Sequence, residues 1–198
     1  MIGKRLFDIV VAFAVLALMW PIFLLIALAV RLDSPGPGFF RQERVGRHGR
    51  VFRIHKFRTM TAGPIRGGGD LTLRDDPRIT RTGARLRHWK IDELPQFIDV
   101  LVGDMSLVGP RPEMPRYVAM YPPAVRDKVL SVRPGITDLA SIAFRNESAL
   151  LAADADPERV YVEKILPRKL DYYVRYVEER SFRRDLAILW LTAKALLE

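Results

Sequence analysis

IVVAFAVLALMWPIFLLIALAV, residues 9–30, carries no charged side chain, while Lys4, Arg5 and Asp8 precede it and Arg31 follows it. At 1.5 Å per residue, a helix of about 22 residues matches a hydrocarbon core about 30 Å thick. The run is longer than the apolar core of a signal peptide. It ends in Val30-Arg31-Leu32 without a small-residue cleavage pattern, so it reads as a retained anchor. Pro21 falls in its middle, where a missing backbone donor and a ring clash with the preceding turn predict a kink. Basic residues at both ends fit the positive-inside tendency best if both ends stay cytoplasmic, as a re-entrant helix allows. A spanning helix with a tolerated proline is equally compatible with the pattern.

Outward from the anchor, Asp33-Ser34-Pro35-Gly36-Pro37-Gly38 ends the helix and opens the rest of the chain. With 198 residues, 49% of them hydrophobic, the chain has material for one compact unit plus an anchor. Two units are expected: residues 1–32 as the membrane helix and residues 33–198 as a catalytic domain. The formal charge of +9 favours anionic partners such as phosphorylated substrates, lipid headgroups or nucleic acid. The absence of cysteine excludes disulfides, cysteine-ligated zinc and thiol nucleophiles.

Residues 51–60 read as a strand, with Phe52, Ile54 and Phe57 apolar and Arg53, His55, Lys56 and Arg58 polar. The alternation slips at Lys56, which either points into a site or is a solvated strand lysine. Residues 61–76, with Gly67-Gly68-Gly69, read as a loop, since no Lys-Ser or Lys-Thr follows to make a phosphate cradle. Residues 82–90 crowd Arg85, Arg87, His88 and Lys90 around Leu86 and Trp89, which suits a surface that meets phosphates or headgroups, with Trp89 at a lipid interface.

Asp92 is placed to N-cap a helix reaching about Leu101, with Glu93 and Pro95 in its first turn. That accounts for both acids without chemistry. The functional alternative is that one carboxylate attacks phosphorus or that both hold a divalent metal. Arg111, fixed between Pro110 and Pro112, offers a fork for phosphate oxygens. Asp154-Ala155-Asp156 resembles a metal-binding Asp-x-Asp, but Asp156-Pro157-Glu158 is a good helix start and a cap explains it better. Residues 181–197 form an amphipathic stretch that either lies along an interface or closes the core. His48, His55 and His88 lack metal-ligand spacing.

Five ordered blocks then stand out: Phe57-Arg58-Thr59-Met60, Asp76-Pro77-Arg78-Ile79-Thr80, Asp92-Glu93-Leu94-Pro95-Gln96, residues 103–112 (GDMSLVGPRP) and Arg133-Pro134-Gly135-Ile136-Thr137. In these the chain resembles the small monotopic phosphoglycosyl transferases, the catalytic core of the bacterial sugar transferase family, from about Lys4 to Leu196. The resemblance implies transfer of a sugar-1-phosphate from a UDP-sugar to polyprenyl (undecaprenyl) phosphate with release of UMP. It makes Asp92 the nucleophile that forms an acyl-phosphate with the sugar phosphate. Glu93 becomes its partner acid, and Mg2+ on Asp92 and Glu93 the cofactor. Lys56, Arg87, Arg111, Arg145 and Asp171 become substrate-binding residues.

The same resemblance places a re-entrant helix, bent at Trp20-Pro21, on the cytoplasmic face of the bacterial inner membrane. Trp20 departs from the serine often found there, and a hydroxyl that helps bend a helix is lost. Residues 138–146 (DLASIAFRN) depart from the GWAQVNGRN of some members, although Arg145 and Asn146 still align. The fold expected is α/β in the sense of a helix-rich α+β domain with a short sheet and amphipathic interfacial helices. Anionic membrane lipids are expected partners, a homodimer is compatible, and no nucleic acid is expected. The readings set against this are a metal-dependent glycosyltransferase releasing UDP through Asp154 and Asp156, and a non-enzymatic basic membrane adaptor. The first needs a Rossmann-like sheet, and the second leaves the Asp-Glu and Pro-Arg-Pro blocks without a role.

Overall fold

The computed structural model describes residues 2–61, 71–73 and 76–197, without the side chain of residue 197. The expected Gly67-Gly68-Gly69 loop lies outside the described residues. The apolar run is the centre of one helix, α1 (Ile2–Asp33), which continues through Pro21. A hairpin follows, β1 (Phe39–Val45) antiparallel to β2 (Val51–Phe57), in register Phe39 with Phe57 and Val45 with Val51. β2 is shorter than expected, and Met60 instead makes an isolated bridge with Ile79. Its buried residues are Phe52, Ile54 and Phe57, so the inward face shifts by one residue at His55-Lys56.

α2 (Arg81–His88) starts at Thr80, whose hydroxyl accepts the Gly83 N–H at 3.0 Å. A 3-10 turn (Ile91–Glu93) leads through Leu94-Pro95 into α3 (Gln96–Val102). β3 (Ser106–Val108) pairs in parallel with β4 (Gly135–Thr137) across the short helices α4 (Pro115–Val118) and α5 (Pro123–Val129). The remainder is helical: α6 (Leu139–Ala143), α7 (Glu147–Ala152), α8 (Pro157–Val160), a π turn (Tyr161–Ile165), α9 (Leu166–Glu179) and α10 (Phe182–Leu197). The class is helix-rich α+β. The described strands form two separate two-stranded sheets, not the extended parallel sheet that a Rossmann-type glycosyltransferase needs.

Three apolar clusters hold these elements. Tyr117, Val129, Leu151, Tyr161, Leu170 and Tyr173 form the one around α9. Ala12, Ile54, Val100, Met105, Leu107 and Ile188 join α1 to the hairpin, α3, β3 and α10. Phe23, Val30, Phe57 and Leu86 dock the second half of α1 on β2 and α2. Each large apolar side chain fully buried in this way contributes about 1.5–3 kcal/mol.

Polar groups tie α1 at both ends. Near its start, Lys4 Nζ donates to Asp185 Oδ2 at 2.6 Å and to the Val108 carbonyl at 3.1 Å. Arg5 donates to the Val100 and Leu101 carbonyls at the end of α3, and buried Asp8 accepts from Ser106 Oγ at 2.8 Å. At the other end, buried Arg58 donates to the Ser34 carbonyl at 2.7 Å, to Val30 at 3.3 Å and to Pro35, gathering carbonyls at and just beyond the helix terminus. Asp33 accepts the Thr82 N–H at 2.8 Å. The opposite face, including Leu18, Trp20, Leu24, Leu25 and Leu28, is exposed.

Candidate active site

Four local structures converge on the acid pair. β2 delivers Lys56 where its alternation breaks, α2 delivers Arg87, the 3-10 turn delivers Asp92 and Glu93, and the rigid Pro110-Arg111-Pro112 segment after β3 delivers Arg111. Lys56 Nζ donates to Glu93 Oε1 at 2.9 Å. Arg111 forks over the same carboxylate, with Nη1 donating to Oε2 at 3.1 Å and Nη2 donating to Oε1. Arg87 Nε donates to Thr59 Oγ1 at 2.8 Å. α2 reaches this position because residue 83 is glycine: a Cβ there would lie 2.1 Å from the Thr59 carbonyl oxygen.

The N-cap alternative for Asp92 is not realised. A cap at Asp92 would accept from the N–H of Leu94 or of residue 95. Leu94 already donates to the Ile91 carbonyl at 3.1 Å, and Pro95 has no N–H. Lys90 precedes the turn in the left-handed region, at φ 55°, an uncommon backbone for a residue with a Cβ. The result is a buried carboxylate, 7% exposed, whose Oδ1 has no hydrogen-bond partner among the described residues.

The two acids therefore differ electrically. Burial, reinforced by the charge of Glu93, pushes the Asp92 carboxyl above its ordinary value despite Lys56 and Arg87. Burial also pushes Glu93 up, but Arg111 and Lys56 outweigh it and hold that carboxyl well below the usual range. Burial lowers Lys56 and Arg87, whereas the charge of Glu93 raises Arg111. One carboxylate is fixed and ionised, and its neighbour is more basic with an unpartnered oxygen, an arrangement suited to nucleophilic attack among cations.

The remaining expected residues lie elsewhere. Arg145 is exposed and donates to the Ala195 carbonyl on α10 at 2.7 Å. Asp171 is exposed on α9, and among the described residues no hydrogen bond or ion pair joins it to the acid pair. Trp20 and Pro21 sit on the exposed face of α1. Asp154 accepts the Asp156 N–H, and Asp156 caps α8 through the Arg159 N–H, as the capping reading expects. His55 is structural, its Nδ1 2.7 Å from Asp99 Oδ1.

Sequence reasoning missed the support beneath Arg111. Glu113 is buried, accepts from Tyr161 at 2.8 Å and lies 3.7 Å from Arg44 and 3.8 Å from Lys169. Arg44 in turn donates to the Pro112 carbonyl at 3.2 Å. Gln96 was also missed: it is wholly buried one turn beyond Asp92, with neither amide atom partnered among the described residues. Its place in the Asp-Glu-Leu-Pro-Gln block was the signal.

Comparison with known proteins identifies the family. The family described as bacterial sugar transferase matches residues 1–198. The UDP-N-acetylgalactosamine-undecaprenyl-phosphate N-acetylgalactosaminephosphotransferase of Aeromonas hydrophila is 38% identical over 98% of this chain and 43% of its own length. The UDP-glucose:undecaprenyl-phosphate glucose-1-phosphate transferase of Escherichia coli K12 is 38% identical over 96% of this chain and 39% of its own length. The chain thus spans less than half the length of these two relatives. It spans 88% of the sugar transferase EpsL of Bacillus subtilis, at 40% identity over its whole length. With the match running from the first residue to the last, this chain belongs to the bacterial sugar transferase family.

Proposed function

We propose that this protein transfers a sugar-1-phosphate from a UDP-sugar to undecaprenyl phosphate through a covalent intermediate on Asp92. The observation that carries the reading is the unequal acid pair: a basic Asp92 with an unpartnered oxygen, beside a Glu93 clamped by Lys56 and Arg111. Asp92 attacks the β-phosphorus, the bond from that phosphorus to the oxygen bridging the two phosphates breaks, and UMP leaves with the electron pair. A phosphate oxygen of the lipid then attacks the same phosphorus and displaces the Asp92 carboxylate, giving the undecaprenyl-diphosphate sugar. Arg87 and Lys56 offset the repulsion between anionic nucleophile and diphosphate, and Arg111, held by Glu93, is oriented toward phosphate oxygens.

Among the described residues no group of three His, Cys, Asp or Glu gathers to hold a metal. The unpartnered Asp92 oxygen nevertheless fits magnesium, which binds through one or two carboxylates and completes its shell with substrate phosphates and water. Asp92 and Glu93 would be those carboxylates, and the ion would supply charge neutralisation on the diphosphate.

The membrane part of the reading has its own support. Both ends of α1 are tied to one folded body while its outer face stays apolar and exposed, which favours a monotopic, re-entrant helix over a spanning one. We place the protein on the cytoplasmic face of the bacterial inner membrane. The test is nucleotide release from a panel of UDP-sugars with undecaprenyl phosphate and magnesium, together with intact mass. The expected result is UMP release and a phosphosugar adduct on Asp92, both absent in Asp92→Asn. UDP as the product, or an adduct on another residue, would overturn the assignment.

A further inference from the structure

At the turn end of the hairpin, away from the acid pair, lies a second cavity of about 210 Å3. Its polar lining is Arg47, His48, Arg50, Arg133 and a single acid, Asp104, whose Oδ1 lies 3.9 Å from Arg50 Nη1. Four strand steps lead from Phe52 in its lining to Lys56, about 13 Å along β2, so this is not the acid-pair site.

The cavity is built rather than incidental. Arg133 donates Nε to the Gly103 carbonyl at 2.8 Å and Arg47 donates Nε to the Ser131 carbonyl at 3.1 Å. Each guanidinium is thereby oriented through one nitrogen. The two terminal nitrogens of each have no hydrogen-bond partner among the described residues. The turn that presents Arg47 and Arg50 is closed by the Gly46 N–H on the Arg50 carbonyl at 2.8 Å. It is pinned to α5 by the His48 N–H on the Leu130 carbonyl at 2.7 Å. His48 holds a left-handed backbone, φ 58°, which persists only where surrounding bonds enforce it. Two anchored forks facing one cavity, with a third arginine beside them, match the oxygens of a phosphate.

The surroundings name the source of that phosphate. Val102, the chain neighbour of the lining residue Gly103, is 71% exposed. Arg5 of α1 reaches the adjoining α3 terminus, with its Nη2 3.4 Å from where a Cβ on the lining residue Gly103 would lie, and the next residue of α1, Leu6, is 62% exposed. A soluble phosphate would leave these apolar groups in water, whereas a lipid places its phosphate among the arginines and its chains beside Val102 and Leu6. We infer that this cavity binds the headgroup phosphate of an anionic phospholipid, at a site separate from the substrates. The inference rests on the membrane-surface reading of α1 but not on the reaction.

The test compares flotation of the full chain with phosphatidylcholine vesicles and with the same vesicles containing a minor fraction of phosphatidylglycerol. Arg47→Gln/Arg50→Gln is set against Lys164→Gln/Arg168→Gln, which loses the same charge from exposed positions elsewhere. The cavity variant is expected to keep neutral-vesicle binding and to lose most of the phosphatidylglycerol gain, roughly tenfold or more for two surface arginines, while the control keeps it. Equal losses in the two variants would overturn the site, leaving only general charge. No binding of the wild-type chain to either vesicle would overturn the membrane reading itself. Phenylglyoxal labelling of Arg47 separates the sources: protection by phosphatidylglycerol vesicles but not by inorganic phosphate supports the lipid, and equal protection by inorganic phosphate overturns it.

Discussion

Asp92 and Glu93 are neighbours in sequence and opposites in environment, and the difference has measurable consequences. Because Asp92 is raised, its nucleophilic form is lost as pH falls through a value above that of an ordinary aspartate. A profile of kcat/KM against pH is expected to fall on the acid side from that higher value, and an acid limb at the ordinary carboxylate range would count against Asp92. Ionising this buried, unpartnered group also costs stability once pH exceeds its ordinary value. Asp92→Asn should therefore abolish transfer, by roughly three orders of magnitude or more, while leaving Tm at neutral pH unchanged or higher. Glu93 works in reverse. Its depressed carboxyl contributes stability above the ordinary glutamate value and loses it only as pH falls through the depressed one. Glu93→Gln leaves Lys56 and Arg111 facing each other without a counter-charge and should cost about 3 kcal/mol, seen as a lower Tm. An unchanged Tm would mean the clamp contributes little.

At the scale of elements, the decisive contacts are close approaches between backbones. In Gly83→Ala the new methyl would meet the Thr59 carbonyl, so α2 must lift away and carry Arg87 from Thr59 Oγ1. A loss of about 1–3 kcal/mol is expected in thermal melts, with a fall in turnover. Retention of both would show that α2 can shift freely. Much at this scale was legible in the sequence: the α1 run, the Asp33–Gly38 break, the slip at Lys56, the α8 cap at Asp156 and the amphipathic α10 all have local causes. The 3-10 turn was not, because an acid followed by a proline-containing turn looks like a cap until the Leu94 N–H is seen to be used and Pro95 to have none. Asp8, Arg58, Glu113 and Lys169 were unreadable for another reason. Their burial depends on partners far along the chain, and charge in sequence defaults to solvent.

For the whole molecule, α1 is both the apolar surface and part of two cores, so it is not a detachable anchor. Deleting residues 1–33 is expected to abolish cooperative thermal unfolding, whereas a soluble remainder with a sharp transition would refute the shared cores. Lys4 meets Asp185 across a separation of 181 residues. At synthesis rates of about 5–20 residues per second, the start of α1 waits roughly 10–40 s for that partner to emerge. For that interval the nascent chain carries an apolar helix whose inward Lys4 lacks the carboxylate it pairs with, while Asp8 finds Ser106 and Leu107 sooner. Something outside this pairing, bilayer or chaperone, must shelter that face of the helix until α10 leaves the ribosome.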